Sequence, residues 1–286
     1  MNDFVYACPV KVYFGTDAAQ KAISQEMGRF GKRVMLAYGG GSICKNGTYD
    51  AVAAMLRKAG KQIVDFPGIM PNPTYRKVQE GARLAREEKV DFILAVGGGS
   101  VIDCCKVISA QARTERDIWQ MEFEDREFPT EFVPMGAVVT ATGTGAEMNN
   151  GAVITHEEKK IKTGVLGALA AFAALDPAYM MSLPARQVIS GGFDTLSHCM
   201  ETYFGSPRTA NVSDEINEAV MRNVIRNLRV AAKDVRNEEA RRELAWDSAM
   251  AENGILKIGK RTDFQAHMIE HQLAPTPTAT TAAAWR

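Results

Sequence analysis

Apolar and polar positions follow two periods over the first 180 residues and a single, helical one after them. Residues 9–15 (PVKVYFG) alternate and are rich in β-branched and aromatic types, which predicts a strand closed by Gly15. Asp17–Arg29 has a helical period with Asp17 as its cap. Arg33–Tyr38 (RVMLAY) reads as a buried strand followed by Gly39, Gly40, Gly41 and Ser42. A helix over Tyr49–Gly60, a short strand over Gln62–Phe66 and an amphipathic helix over Thr74–Glu88, capped by Thr74, come next. Asp91–Val96 (DFILAV) is the most apolar strand up to that point. Gly97, Gly98, Gly99 and Ser100 turn it into a helix over Val101–Ala112. Phe132–Val139 is a further strand that runs into the loop Thr140–Glu147, and Ala152–Thr155 and Ala171–Leu175 are shorter strand candidates. Strands apolar on both faces, alternating with helices, are the mark of a parallel sheet covered on both sides. From about Pro184 the strand signals vanish, and Asn211–Val235 and Glu238–Leu256 read as long helices. The fold class is therefore α/β followed by all-α, with the change near Asp176–Pro184.

Bulk properties narrow the field of functions. A chain of 286 residues with 46 % hydrophobic content fills two domains. Its 34 basic and 34 acidic residues cancel, so nothing points to nucleic acid or an anionic membrane surface. No apolar run approaches a membrane span, and the first residues lack the basic-then-apolar layout of a secretory signal. Five cysteines, without CxxC spacing, read as reduced thiols of a cytoplasmic protein, with Cys104 and Cys105 as helix packing.

The chemistry-bearing residues are concentrated. Three of the four histidines lie in two short segments. Asp194 and His198 are four apart, as are His267 and His271, so each pair shares one face of a helix. Either pair alone fits a solvated acid and a hydrogen-bonded core histidine better than a ligand; together they favour a divalent metal. HMIEHQL is not HExxH, so metalloprotease chemistry does not follow. The two GGGS turns, each after a strand, offer backbone N–H groups to a phosphate, the second at a helix start. In a doubly wound sheet both would face one crevice, which favours a nucleotide over two plain tight turns. The second strand ends at Gly39 rather than an acid. Room for a 2′-phosphate, with Ser42 as donor and Lys45 as countercharge, leans towards NADP. The TATGTG loop reads, by itself, as a Ser/Thr-rich turn.

These strings together resemble the iron-containing (group III) alcohol dehydrogenases, in the branch similar to butanol dehydrogenases. The resemblance is carried by GGGSICKNGTYD (Gly39–Asp50), PNPT (Pro71–Thr74), GGGSVIDCCK (Gly97–Lys106), TATGTGAEMN (Thr140–Asn149), SLPARQ (Ser182–Gln187), GGFDTLSHCMETY (Gly191–Tyr203) and HMIEHQL (His267–Leu273). It implies a dehydroquinate synthase-like architecture: a nucleotide-binding α/β domain over 1–180, a helical metal-binding domain over 181–274, and the active site between them. It implies NAD or NADP at Gly39–Ser42, Gly97–Ser100, Asp103, Thr140, Thr144 and Lys162. It implies Fe2+, or Zn2+ in its place, held by Asp194, His198, His267 and one further histidine, with His271 near the substrate as a proton-moving group. The reaction implied is hydride transfer between a primary alcohol or aldehyde and the nicotinamide, in a cytoplasmic enzyme that forms a homodimer. A non-catalytic nucleotide-binding remnant is the alternative from another class, and a polyol dehydrogenase or a dehydroquinate-synthase-like lyase the alternative within the fold.

The pattern departs from the family at its end. The further histidine belongs fourteen residues after His267, where this chain has Thr281. The last twelve residues, PTPTATTAAAWR, are of low complexity. Back-translated with free third bases and moved forward two bases, they can spell YTDCNHGRGLA, with the histidine codon at position 281. The expectation is a frameshift around Ala274–Pro275 with early termination, weaker metal binding, and exposed apolar faces over Asn211–Leu273. A divergent flexible tail over 275–286 is the alternative.

Overall fold

The computed structural model describes residues 2–207 and 211–273. The tail, with Thr281 in it, lies outside the described residues. The strands are β1 (Lys11–Phe14), β2 (Arg33–Tyr38), β3 (Gln62–Phe66), β4 (Phe92–Gly97), β5 (Met135–Val139), β6 (Gly151–His156), β7 (Ile161–Leu166) and β8 (Phe172–Leu175). The helices are α1 (Ala18–Glu26), α2 (Ser42–Lys45), α3 (Thr48–Lys58), α4 (Tyr75–Glu87), α5 (Gly99–Gln111), α6 (Ile118–Gln120), α7 (Ala185–Tyr203), α8 (Val212–Ala231), α9 (Glu238–Glu252) and α10 (Gln265–Leu273).

Six strands form one parallel sheet in the order β1-β8-β5-β4-β2-β3. The chain runs outwards from β2 to β3, then crosses back over β2 to β4. The direction of winding therefore reverses between β2 and β4, and their carboxyl ends open a crevice there. Alternate residues of each strand feed two cores. Val34, Leu36 and Leu94 pack with Ile23, Val52 and Leu56 of α1 and α3. Met35, Ala37, Ile93 and Ala95 pack with Val78, Ile102 and Ile108 of α4 and α5. Every residue of β4 is buried, which is why DFILAV carries no polar alternation. Each aliphatic side chain so buried stabilises the fold by about 1.5–3 kcal/mol.

Several sequence expectations need correction. Ala171–Leu175 joins the parallel sheet, but Ala152–Thr155 does not. It forms β6, which pairs antiparallel with β7 in a separate ribbon. No strand was expected at β7, because Lys162 breaks its apolar alternation. Lys162 is nevertheless buried, its charge met by Glu270. The helical turn at α6 was likewise missed. Thr74 caps α4 as expected, accepting from Lys77 N at 3.2 Å. Asp17 does not cap α1: it enters the helix from the left-handed region, at φ 59°, and its carboxylate makes no capping bond.

The helical part has its own core, built on Val188, Cys199, Val224, Leu228, Leu244 and Leu256. The loop after β5 fastens it to the sheet. Gly143 and Gly145 N–H groups both donate to Ser248 Oγ of α9, at 2.8 and 3.2 Å. Gly143 has φ +138°, and a Cβ there would lie 2.7 Å from Gly191 Cα in the second turn of α7. Only paired glycines allow that approach. Large apolar side chains are exposed over the stretch where exposure was expected, at Val212, Ile225, Val230, Met268 and Ile269. Among the described residues no helix is long and apolar enough to cross a membrane.

Candidate metal centre and nucleotide cleft

Helix α7 places Asp194 and His198 one turn apart on its buried face, and α10 does the same for His267 and His271. The two helices meet here. The rings of His198 and His267 stack with centroids 4.5 Å apart, and His267 Nε2 lies 3.6 Å from Asp194 Oδ1. One ligand atom from each of Asp194, His198 and His267 falls within 4.8 Å of the others. Among the described residues this is the one grouping of such side chains. His156, the fourth histidine, is elsewhere, against Tyr75 and Trp119 on β6.

The electrostatics of the cluster are coupled. Burial by itself raises the Asp194 carboxyl, but His198 and His267 overcome it and hold it below its ordinary value. Burial lowers His267, and Asp194 and Glu201 outweigh this and raise it. His271 is pushed down to about 4 by burial, then by the Lys162 ammonium and His267. It is therefore a neutral imidazole at neutral pH.

The cluster fits a divalent cation. Asp194 Oδ1 and His198 Nδ1 are buried with no hydrogen-bond partner. Buried polar atoms are normally paired, and a carboxylate beside two imidazoles is a donor set for iron(II) or zinc.

A cavity of about 430 Å3 adjoins the cluster. It brings together Asp194, His198, His267 and His271 with Gly99, Ser100, Asp103, Thr144 and Lys162. Gly99 and Ser100 are the first residues of α5, so the positive end of that helix faces the cavity. Asp103 Oδ2 accepts from Val153 N at 3.0 Å. Its carboxyl is raised by burial, against the pull of Lys106. Gly39–Ser42, Gly97, Gly98 and Thr140 do not line this cavity. They lie at the carboxyl ends of the neighbouring strands β2, β4 and β5, where Thr140 N donates to Gly97 O at 3.0 Å.

Three acids were given no part in the site by the sequence. Glu201 accepts from Ala266 N at 2.8 Å and bonds His267 Nδ1. Glu252 Oε1 lies 3.7 Å from His198 Nδ1. Glu270 binds Lys162 Nζ at 2.9 and 3.1 Å with both side chains buried, pinning α10 to β7. The position of Glu201, seven after Asp194 and three after His198, was a usable signal, because it puts all three on one helical stripe. Nothing in sequence separation links Glu252 or Glu270 to their partners.

With this geometry in hand, comparison with known proteins is informative. A model described as iron-containing alcohol dehydrogenase matches residues 9–177, and one for the C-terminal part of the Fe-containing alcohol dehydrogenase family matches 188–278. The chain is 38 % identical to an NADH-dependent butanol dehydrogenase A of Clostridium acetobutylicum, over 96 % of its own length and 70 % of that protein's. It is 36 % identical to the NADPH-dependent aldehyde reductase YqhD of Escherichia coli, over 96 % and 70 %. The crystal structure of NADH-dependent butanol dehydrogenase A from Thermotoga maritima superposes with a TM-score of 0.93 at 36 % identity, covering 99 % of this chain and 71 % of that one.

Proposed function

The chain belongs to the iron-containing alcohol dehydrogenase family, and from that premise we propose that it transfers hydride between NAD(P)(H) and a primary alcohol or aldehyde, such as butanol or butyraldehyde. Residues 1–180 form the nucleotide-binding domain in this reading, and the metal is held within 181–274. The observation that carries it is the convergence of buried Asp194, His198 and His267 beside a cavity that also meets the start of α5. Relatives named for NADH and for NADPH both occur, so the dinucleotide is either form, with the neutral end of β2 leaning towards NADP.

Asp194, His198 and His267 would hold iron(II) or zinc, which when bound supplies Lewis-acid polarisation of the substrate oxygen. Asp194 contributes the negative charge that balances the ion. Gly99 and Ser100 orient the dinucleotide by its pyrophosphate, through free backbone donors at a helix start. His271, neutral at working pH, accepts a proton at one nitrogen while giving one up at the other, so it passes protons rather than storing them. All four side chains are buried, which limits the water that reaches them.

The test is metal content together with butyraldehyde reduction by NADH and NADPH, in the parent protein and in Asp194→Asn. Metal-dependent turnover that the substitution abolishes supports the proposal. Dinucleotide binding with no metal-dependent turnover would overturn it in favour of a non-catalytic nucleotide binder. A preference for polyols, or lyase activity with no reduction of simple aldehydes, would overturn the substrate assignment.

A further inference from the structure

We propose that Glu201 is the positioning residue for His267, fixing its imidazole in the tautomer that carries hydrogen on Nδ1 and presents Nε2 as the ligating nitrogen. The proposal rests on the metal-site reading above and adds a residue to it.

Glu201 makes four contacts, to a hydroxyl, an imidazole nitrogen and two backbone N–H groups, the longest being His267 N to Oε2 at 3.4 Å. Oε1 accepts from Ser197 Oγ at 3.2 Å, on its own helix. Oε1 also meets His267 Nδ1 directly. Oε2 accepts from Ala266 N at 2.8 Å, in the first turn of α10. The carboxylate therefore grips the helix start and the ring of the residue just after it. With Nδ1 committed to Glu201, the opposite nitrogen, Nε2, is the one turned towards Asp194 Oδ1 at 3.6 Å.

A carboxylate behind a ligating imidazole raises its basicity and removes the wrong tautomer. The second carboxylate nearby does not play this part. Glu252 stands 3.7 Å from His198 Nδ1, beyond hydrogen-bond reach, and its Oε2 is taken by Lys257 at 3.0 Å. The two histidines of the cluster are thus backed differently, and the direct bond belongs to His267.

The chain has four histidines, so selective 15N-histidine labelling of the full-length protein resolves four imidazoles. In the metal-free parent, at a pH above the raised His267 value, so that the ring is neutral, His267 should show hydrogen on Nδ1 alone. Glu201→Ala should return it to a mixed tautomer, and Glu201→Gln, which keeps an acceptor oxygen, should largely restore the parent pattern. Glu252→Gln should leave His267 unchanged. Competition with a chromogenic chelator should show Zn2+ binding weakened by about 10–100-fold in Glu201→Ala and less in Glu201→Gln. Parent-like tautomer and Zn2+ affinity in a folded Glu201→Ala would overturn the proposal. So would a Glu201→Gln variant no better than alanine in both measurements. A parent protein that takes up no divalent ion would defeat the metal-site reading, while the tautomer comparison would still decide the role of Glu201.

Discussion

Removing the carboxylate of Glu270 should release α10, and with it two of the four residues around the metal centre. The helix is nine residues long, too short to persist without tertiary support. Its ties include the Glu201 contacts at one end and Lys162–Glu270 near the other. The pair is buried, with side chains 1 % and 3 % exposed and 2.9 Å between charges. At an effective dielectric of about 20 its attraction is about 6 kcal/mol. Much of that offsets desolvation, so the pair itself contributes little net stability. Breaking it is another matter, because Glu270→Gln leaves the buried Lys162 ammonium without the carboxylate that faces it. The expected cost is about 3–5 kcal/mol, and the lower end applies because the adjoining cavity admits water. If α10 melts with the rest, the melting temperature falls by roughly 6–12 °C. If it detaches alone, the fall is smaller and the amides of 265–273 lose their protection from hydrogen exchange. Hydrogen-exchange mass spectrometry and a thermal melt separate these cases. The double variant Lys162→Met/Glu270→Leu should recover most of the stability, since no charge is left unpaired. A Glu270→Gln protein with parent-like exchange over 265–273 and an unchanged melt would refute the reasoning.

Other outcomes follow from the same structure. Ser248→Ala should destabilise by about 2–4 kcal/mol in a denaturant titration, because the buried N–H groups of Gly143 and Gly145 both lose their acceptor. Gly40→Asp should leave the fold intact, since nothing lies within 4 Å of a Cβ there. It should raise KM for NADPH by about 10-fold relative to NADH, by repulsion of a 2′-phosphate. Glu26 binds Lys11, Tyr13 and Arg29 at 2.5–2.6 Å, and the Lys11 and Tyr13 bonds, then Arg29, hold its carboxyl down to about 2. A depressed folded-state value stabilises the fold above the ordinary 4.5 and loses that contribution as pH falls towards 2. The stability difference between the parent and Glu26→Gln should therefore be about 1–2 kcal/mol at pH 6 and vanish near pH 2. Urea titrations at the two pH values would measure it. His198→Ala should weaken Zn2+ binding at least about 100-fold by chelator competition, as loss of one protein ligand in three requires.

The chemistry of the site was legible where a helix or a turn concentrates it locally. Asp194 and His198, and His267 and His271, announce themselves because four residues make one helical turn. Gly97–Ser100 does so because a strand must end before a helix can begin. Lys162 shows the opposite case. Its charge hid β7 from a reading based on hydrophobic alternation, since the compensating charge sits more than a hundred residues away on α10. Asp17 misled for a related reason: residue type marks a cap, but backbone conformation decides whether the side chain can reach.

What the sequence by itself determined was most of the local elements, the change from a parallel sheet to helices and, through strings in family order, the kinship with iron-containing alcohol dehydrogenases. Hydrophobic period and turn chemistry are properties of neighbours along the chain, so one chain suffices to read them. Only the tertiary structure decided where the winding reverses, between β2 and β4, and that the loop after β5 is the joint held by Ser248. It alone set Glu201 behind His267 and Glu270 against Lys162. Those pairings are fixed by packing between distant elements. Nothing in the local pattern of an acidic residue says which buried cation or imidazole will need it.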